Sequence, residues 1–435
     1  MMKFTLWIRL VTALGMMAIF LLITPHELNP GTLPHRKLWP HRNLAFGHQP
    51  NHNGLISISL PMQLTRPISW TDPTKGLMQI AVVAGAVYGG TVHSPYTVDK
   101  LSALTGRLEW SVSVPNQVMT TPVVYHGVVI VGTGNRDWPG PQSSGIRGTG
   151  PNQILGLSAN TGKILWSINT PGENMPTPVI NHGVLYQVGG SDEVLAINPL
   201  NGKILQKLAI PSYVSMSSPE IVNHVMYFGG ALPYQLYAIE IPHLRIAFTT
   251  TLPSSLGGID DCPPAIADGI LVIDYEGLID NQIHAMAAGV SVHTGKVLWA
   301  TDLGSGSIPR ATDGSPTNAA GVPIIHRNVV YLGSPVTSTL YALNLQNGKI
   351  LWSTSDSGSI GRITMAPIWV DGHIIAGDSL GDIIVVNAKT GHIVSTLKEP
   401  TPFVPGVPQI VNGSLFMGTK LATYAIPLES IDAHL

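Results

Sequence analysis

A chain of 435 residues has room for two or three average domains or for one closed all-β fold. With 11% charged residues it lacks the Lys, Glu and Arg that long surface helices place toward solvent, while 46 Gly and 35 Pro spread along its length suit many short strands and tight turns. A net charge of −2 with Lys and Arg scattered gives no basic stripe for a phosphate backbone, which argues against a nucleic-acid partner, and a single cysteine excludes any intramolecular disulfide.

In chain order, the first element is an export signal. Lys3 and Arg9 precede an apolar run from Leu10 to Ile23, and the positive flank should stay cytoplasmic. The following TPHELNPG offers neither an A-x-A-like cleavage site nor a lipobox cysteine, so residues 1–24 read as a signal peptide or signal-anchor, the anchor slightly favoured. The protein is then exported, attached to the membrane or lying in the periplasm or outside the cell. Residues 25–54 carry His26, His35, His41, His48 and His52 among Pro and Asn, a flexible His/Pro-rich linker whose His spacing matches no fixed metal-ligand pattern. The charge-poor remainder has few carboxylates to protonate, so its stability should depend weakly on low pH; this fits an acidic outside environment or simply a Ser/Thr/Asn-rich surface.

From residue 55 to 435 one motif recurs: a Pro, a few β-branched residues, a turn with Gly or Asn, then another apolar strand. The copies begin at Gln79, Thr121, Thr177, Ser218, Pro263, Val322, Ala366 and Val407, and TPVVYHGVVIVGT and APIWVDGHIIAGD are examples. A second half-motif follows most of them, a strand, a Thr-Gly or Asn-Gly turn and a strand ending in Trp, as in LSALTGRLEW and LYALNLQNGKILW. These turns are hairpin signals, so each unit holds four strands. One such sheet cannot bury both faces, whereas several packed face to face around an axis can. The expected fold is therefore all-β, an eight-bladed β-propeller of four-stranded blades. Trp110, Trp166, Trp299 and Trp352 fall on outermost strands as blade-to-blade wedges. Residues 55–60, or the stretch through Trp70, should complete the last blade, whose own final strand is LATYAI.

The unit ANTGKILW, residues 159–166, resembles the tryptophan-docking repeat of the quinoprotein alcohol dehydrogenase-like superfamily over about residues 70–430. That superfamily includes pyrroloquinoline-quinone (PQQ) dehydrogenases, an outer-membrane protein assembly lipoprotein and tetrathionate hydrolases. The resemblance implies three alternatives: a cofactor-free hydrolase, a scaffold binding other exported proteins, or a PQQ-dependent dehydrogenase. In the dehydrogenases a G-T-G-N loop supplies an Asn ligand to calcium, and a later segment carries a catalytic Asp. Here GTGN spans residues 132–135, making Asn135 the matching calcium candidate. In TPGENMPTP, from Thr170, the catalytic Asp position holds Pro176, Met175 replaces a Trp, and the adjacent cysteine pair that covers the quinone is impossible with Cys262 alone. The resemblance therefore implies a chain without functional PQQ chemistry, with PQQ and calcium as the alternative.

The loops preceding each Pro-strand copy should share one face and form a funnel mouth. GGIDDCPPAI puts Asp260 and Asp261 beside an axis-lining strand, where a neighbouring carboxylate and desolvation raise at least one pKa and make a general acid. The alternative is an Asp-rich turn capping its own amides. Arg362 could clamp an anionic substrate or sit in a structural ion pair. Glu173 and Asn174 in TPGEN are further substrate-binding candidates, beside a turn role. Cys262 reads as a small buried hydrophobe rather than a nucleophile. The residues at 134–151, 276–289 and 304–321 are expected to be irregular insertions at this mouth, with Arg136, Asp274, Arg310 and Asp313 among its charged groups. A small anionic substrate or exported proteins are the expected partners, the membrane is met through the N-terminal segment, and a homodimer is an allowed assembly.

Overall fold

Each repeat becomes a four-stranded antiparallel sheet because apolar runs alternate with turns that demand positive φ. In the second blade the turn between the first two strands holds His126 at 45° and Gly127 at 81°, the mirror-image turn whose twist matches that of the flanking strands. The first blade comprises Ile80–Val83, Ala86–Gly90, Thr97–Ser102 and Leu108–Ser113, in that spatial order. The computed structural model describes residues 55–56, 69–74, 76–140, 145–309, 321–354, 360–403 and 406–431. The apolar segment 10–23, the tract 25–54, Arg310 and Asp313 lie outside the described residues.

Eight such sheets form an eight-bladed β-propeller. Second strands such as Ala86–Gly90 and Val128–Gly132 are buried on both faces, since a blade is sandwiched between its neighbours. The core accordingly lies between blades. Ala81, Tyr88 and Val98 of the first meet Val129, Val131 and Leu155 of the second, and Ile80 and Val87 meet Phe416 and Ala425 of the last.

The ring closes through Trp70–Asp72, which pairs antiparallel with Thr423–Pro427 and supplies the outer strand of the eighth blade. Leu55–Ile56 goes elsewhere, pairing in parallel with the inner strand Ile368–Val370 of the seventh blade. Gln409 adds a polar clasp at the closure: its carboxamide accepts the Val82 N–H at 2.7 Å and donates to the Ile80 carbonyl at 2.8 Å.

The outer-strand tryptophans dock blade onto blade by one repeated contact. Each indole N–H donates to a carbonyl of the next blade: Trp70 to Ala103, Trp110 to Ala159, Trp166 to Pro199, Trp299 to Leu345 and Trp352 to Ala388, all within 3.1 Å. The ring also covers the turn glycine of that next blade, and Phe248 does so without the N–H. The third and seventh blades carry Gln206 and Ser395 there instead, and in both cases the following blade lacks an Asn/Thr-Gly turn. Ser395 instead donates to the carbonyl of Ile431, in the short helix Leu428–Ile431 that follows the eighth blade.

A direct test of this docking compares two turn glycines. Gly162, at φ +73°, would place an alanine Cβ 2.9 Å from the Trp110 ring, whereas Gly127, at φ +81°, has nothing within 4 Å. Gly162→Ala is expected to cost about 3 kcal/mol and Gly127→Ala about 1 kcal/mol, because both incur left-handed strain but only the first overpacks. Equal losses in denaturant unfolding would contradict the docking role.

The blade order puts the turns after the first and third strands at one end of the ring and all remaining connections at the other. Asn135, Glu173, Asn174, Asp260, Asp261 and Arg362 all fall at the latter, the mouth. One insertion differs from expectation. Residues 276–289 are regular structure, part of a hairpin of two ten-residue strands, Ile270–Ile279 and Gln282–Ser291. Asp280 and Asn281, at φ 49° and 62°, form its tight turn, and the strand pattern simply runs past the blade edge.

Candidate functional site

The aspartate loop owes its position to that long hairpin. Ser255–Gly257 pairs with the upper part of strand Ile270–Ile279, and the axial strand Ala265–Ala267 pairs with its lower part. The intervening residues must turn tightly at the mouth, with the amides of Asp261 and Cys262 both donating to the Gly258 carbonyl. The carbonyl of Asp260 accepts the amides of Met216 and Ser217 at 2.8 and 2.7 Å, tying the loop to the neighbouring blade. Asp260 is buried, and Asp261 is enclosed by protein yet keeps part of its surface open.

The charge facing this pair is Arg147, from the loop of the second blade. Its Nη1 lies 2.9 Å from Glu173 Oε1, and Glu173 Oε2 accepts the Met175 amide at 2.5 Å. Backbone contacts hold the arrangement: Arg147 donates its amide to Gly190 and accepts that of Glu173. Only glycine permits this at 190, since a Cβ there would stand 2.2 Å from the Arg147 carbonyl. Tyr213 lies within electrostatic reach of Arg147 and Asp260, and its ring meets Trp138 edge-on at 5.0 Å. Glu276 and the Tyr234 hydroxyl close the other side, against Gly257.

These groups perturb one another strongly. Burial raises Asp260 well above the usual carboxylate range and Asp261 adds to the rise; burial also raises Asp261, against the pull of Arg147 and a hydrogen bond with Ser215. Glu276 is lifted to about 7 by burial and by Asp261. Glu173 is lifted to about 8 by burial, which outweighs Arg147 and the Met175 amide. Burial disfavours the charge on Arg147, but Glu173, Asp261 and Asp260 more than offset that and raise it. Three carboxyls thus face one guanidinium in a partly enclosed site, with Glu276 beyond the aspartate pair, and all four hold their protons far more readily than free carboxyls. The cluster goes from net negative in alkali to net positive in acid, and its aspartate pair can hold one proton between two oxygen-rich groups.

The remaining sequence-derived candidates are engaged elsewhere. Arg362 donates to the carbonyls of Ser307 and Pro335, each at 2.7 Å, and to Ser307 Oγ at 3.0 Å, stitching loops together. Asn174 is buried, its Nδ2 donating to Thr170 Oγ1 at 2.6 Å and to two backbone carbonyls. The residues present do not fit a calcium site at Asn135. Its Oδ1 accepts the amides of Asp137 and Thr149 and its Nδ2 donates to Thr149, so the side chain braces its own loop. Cys262 is fully buried with its thiol raised by burial, and its Sγ accepts the Asp274 amide at 3.3 Å. A cavity of about 580 Å³ also opens at this end, between the eighth and first blades, lined in part by His93, Thr401, Lys420 and Tyr424.

Arg147, Tyr213, Tyr234 and Glu276 were not legible as site residues. They come from loops and strand ends of four different blades, and only the ring brings them together.

The family model for the outer membrane protein assembly factor BamB, built on PQQ-type repeats, matches residues 63–217, 133–240 and 223–422. The chain belongs to the PQQ-repeat β-propeller family of the quinoprotein alcohol dehydrogenase-like superfamily. Among its relatives, this propeller is 31% identical over 427 residues to the tetrathionate hydrolase of Acidithiobacillus ferrooxidans, covering 92% of this chain and 80% of that one. Two solved propellers share its fold. BamB from Moraxella catarrhalis superposes with a TM-score of 0.60 at 16% identity, covering 82% of this chain and 98% of that one. A europium-containing methanol dehydrogenase gives 0.61 at 10% identity, covering 89% and 91%.

Proposed function

We propose that this propeller is an exported hydrolase of small polythionate-like anions, working without a bound quinone or metal at the Asp260–Asp261 pair. One observation carries the reading: an aspartate pair, Asp260 buried and Asp261 partly open, faces a largely enclosed arginine within a cluster of proton-retaining carboxyls. Hydrolysis of an S–S bond requires that water oxygen attack one sulfur while the bond's electron pair leaves on the other. A protonated aspartate gives its proton to the departing sulfur, and its ionised partner takes the proton released by water. Arg147, with Glu173 protonated, offsets the substrate's negative charge. The 31% identity to a protein named tetrathionate hydrolase supports this substrate class.

The purified protein should consume tetrathionate in acid, across about pH 3 to pH 6, a range that starts where ordinary carboxyls are largely protonated and reaches the pH at which the raised aspartate pair gives up its first proton. Folded protein that leaves tetrathionate untouched would contradict the hydrolase reading. The match to an assembly-factor family favours a second reading, a scaffold for other exported proteins, which a pull-down recovering barrel-assembly components would support. A buried, proton-retaining charge cluster has no evident task in such a scaffold, and for that reason we rank it second.

A further inference from the structure

The lysines and arginines scattered through the sequence are gathered by the fold. The turn between third and fourth strands is the same in nearly every repeat, and it ends on a cation: Arg107, Lys163, Lys203, Arg245, Lys296 and Lys349 in the first six blades, all exposed. Lys389 follows in the seventh blade, and Arg327 in an inner turn of the sixth, so among the described residues eight cations lie at the end opposite the mouth. The described carboxylates at that end are Glu109, Glu240, Asp268, Asp371 and Glu429, of which Glu109 pairs with Lys100 and Glu240 with Arg245.

Beside the cations stand exposed aliphatic side chains in the same repeated order. Ile164 and Leu165 follow Lys163, Leu298 comes two residues after Lys296, and Ile350 and Leu351 follow Lys349, with 37–50% of each side chain exposed. Leu104 and Leu200, on the turns themselves, are 68% and 50% exposed. Single exposed aliphatics mean little, but a cation with adjoining aliphatics on blade after blade makes an amphipathic rim around a disc.

We infer that this end of the propeller is a docking surface for an anionic phospholipid bilayer. The occupant follows from the symmetry of the chemistry. The first seven blades each offer a cation and an exposed aliphatic side chain in one ring, which suits a planar, fluid array of phosphate headgroups that these blades meet at once. A folded partner would be read by features that differ from blade to blade, and a nucleic acid by a groove or an aromatic stacking platform. The opposite end, with the Asp260–Asp261 loop, then faces away from the membrane into solution.

The test is co-sedimentation of the full chain at pH 5 and about 50 mM salt with vesicles of phosphatidylcholine alone or with phosphatidylglycerol added, since surface attraction is long-ranged at low salt. Any apolar insertion by the N-terminal segment contributes to both vesicle types, so the difference between them isolates charge. Wild type should partition at least about tenfold more strongly onto the phosphatidylglycerol vesicles, and K163E/K203E/K296E/K349E should lose that preference. The control R136E/K207E/K398E/K420E, at the mouth end, should keep it. If the first variant misfolds, the four Lys→Gln changes serve in its place. Equal binding of wild type to both vesicles, equal loss in test and control variants, or retention on immobilised nucleic acid without vesicle binding would each overturn the proposal.

Discussion

Arg147→Met is expected to destabilise the propeller by about 3–5 kcal/mol at pH 8, because it removes the partner of the fully buried Glu173 and leaves carboxyls facing one another in a largely enclosed site. At pH 4 the loss should shrink markedly, since Glu173 is then protonated and no longer needs a cation. The double variant Arg147→Met/Glu173→Gln should recover part of the pH 8 loss by removing the orphaned charge. Denaturant unfolding of the three proteins at both pH values reads the effect. A loss that is the same at pH 4 and pH 8 would mean that Arg147 acts through packing alone.

The second large effect is on stability across pH. Burial lifts Asp274 to about 8, despite an amide of Gly321 donating to it, and lifts Glu276 to about 7. A carboxyl whose folded pKa exceeds its unfolded value binds its proton more tightly in the folded state. Its stabilising contribution is therefore complete below about pH 4 and is lost as pH rises through the folded values near 7 and 8. With Glu173 acting in the same direction, Tm should fall on the order of 10 °C between pH 4 and pH 8.5. Asp274→Asn, which cannot ionise, should flatten the alkaline part of that fall. A Tm that stays constant or rises over this range would show that the cluster is not buried in solution.

These carboxyls also show where reading the chain alone stops. Blade number, the turn glycines and the docking tryptophans are written locally, in Thr-Gly and Asn-Gly hairpins with Trp four residues after the glycine, so periodicity exposes them. Asp260 and Asp261 were visible because two acids stand directly before a Pro-bearing axial strand. Arg147 was not: it lies in a stretch read as irregular, and what makes it a site residue is a loop laid across Glu173 and Gly190 from the next blade. Arg362, which looked equally apt as an anion clamp, is held by Ser307 and Pro335, contacts that depend on how the fifth, sixth and seventh blades adjoin. Glu276 reads as part of a loop because a hairpin longer than its neighbours breaks the repeat spacing. Residue type and periodicity specify blades; the partners of a mouth residue are set by the ring.

Proton exchange between Asp260 and Asp261 and an anionic substrate beside Arg147 should show itself in the rate–pH profile of tetrathionate consumption. Wild type should be fastest in acid, where one aspartate of the pair holds a proton and the other is ionised, slowing toward neutrality as the carboxyls around Arg147 ionise and repel the anion, and slowing in stronger acid as the second aspartate takes up its proton. Asp260→Asn and Asp261→Asn should each lower the rate by about a hundredfold or more at that optimum, the usual scale of a lost proton-transfer group. Folded wild type without turnover at any pH, or both variants retaining the full wild-type rate and profile, would contradict the account.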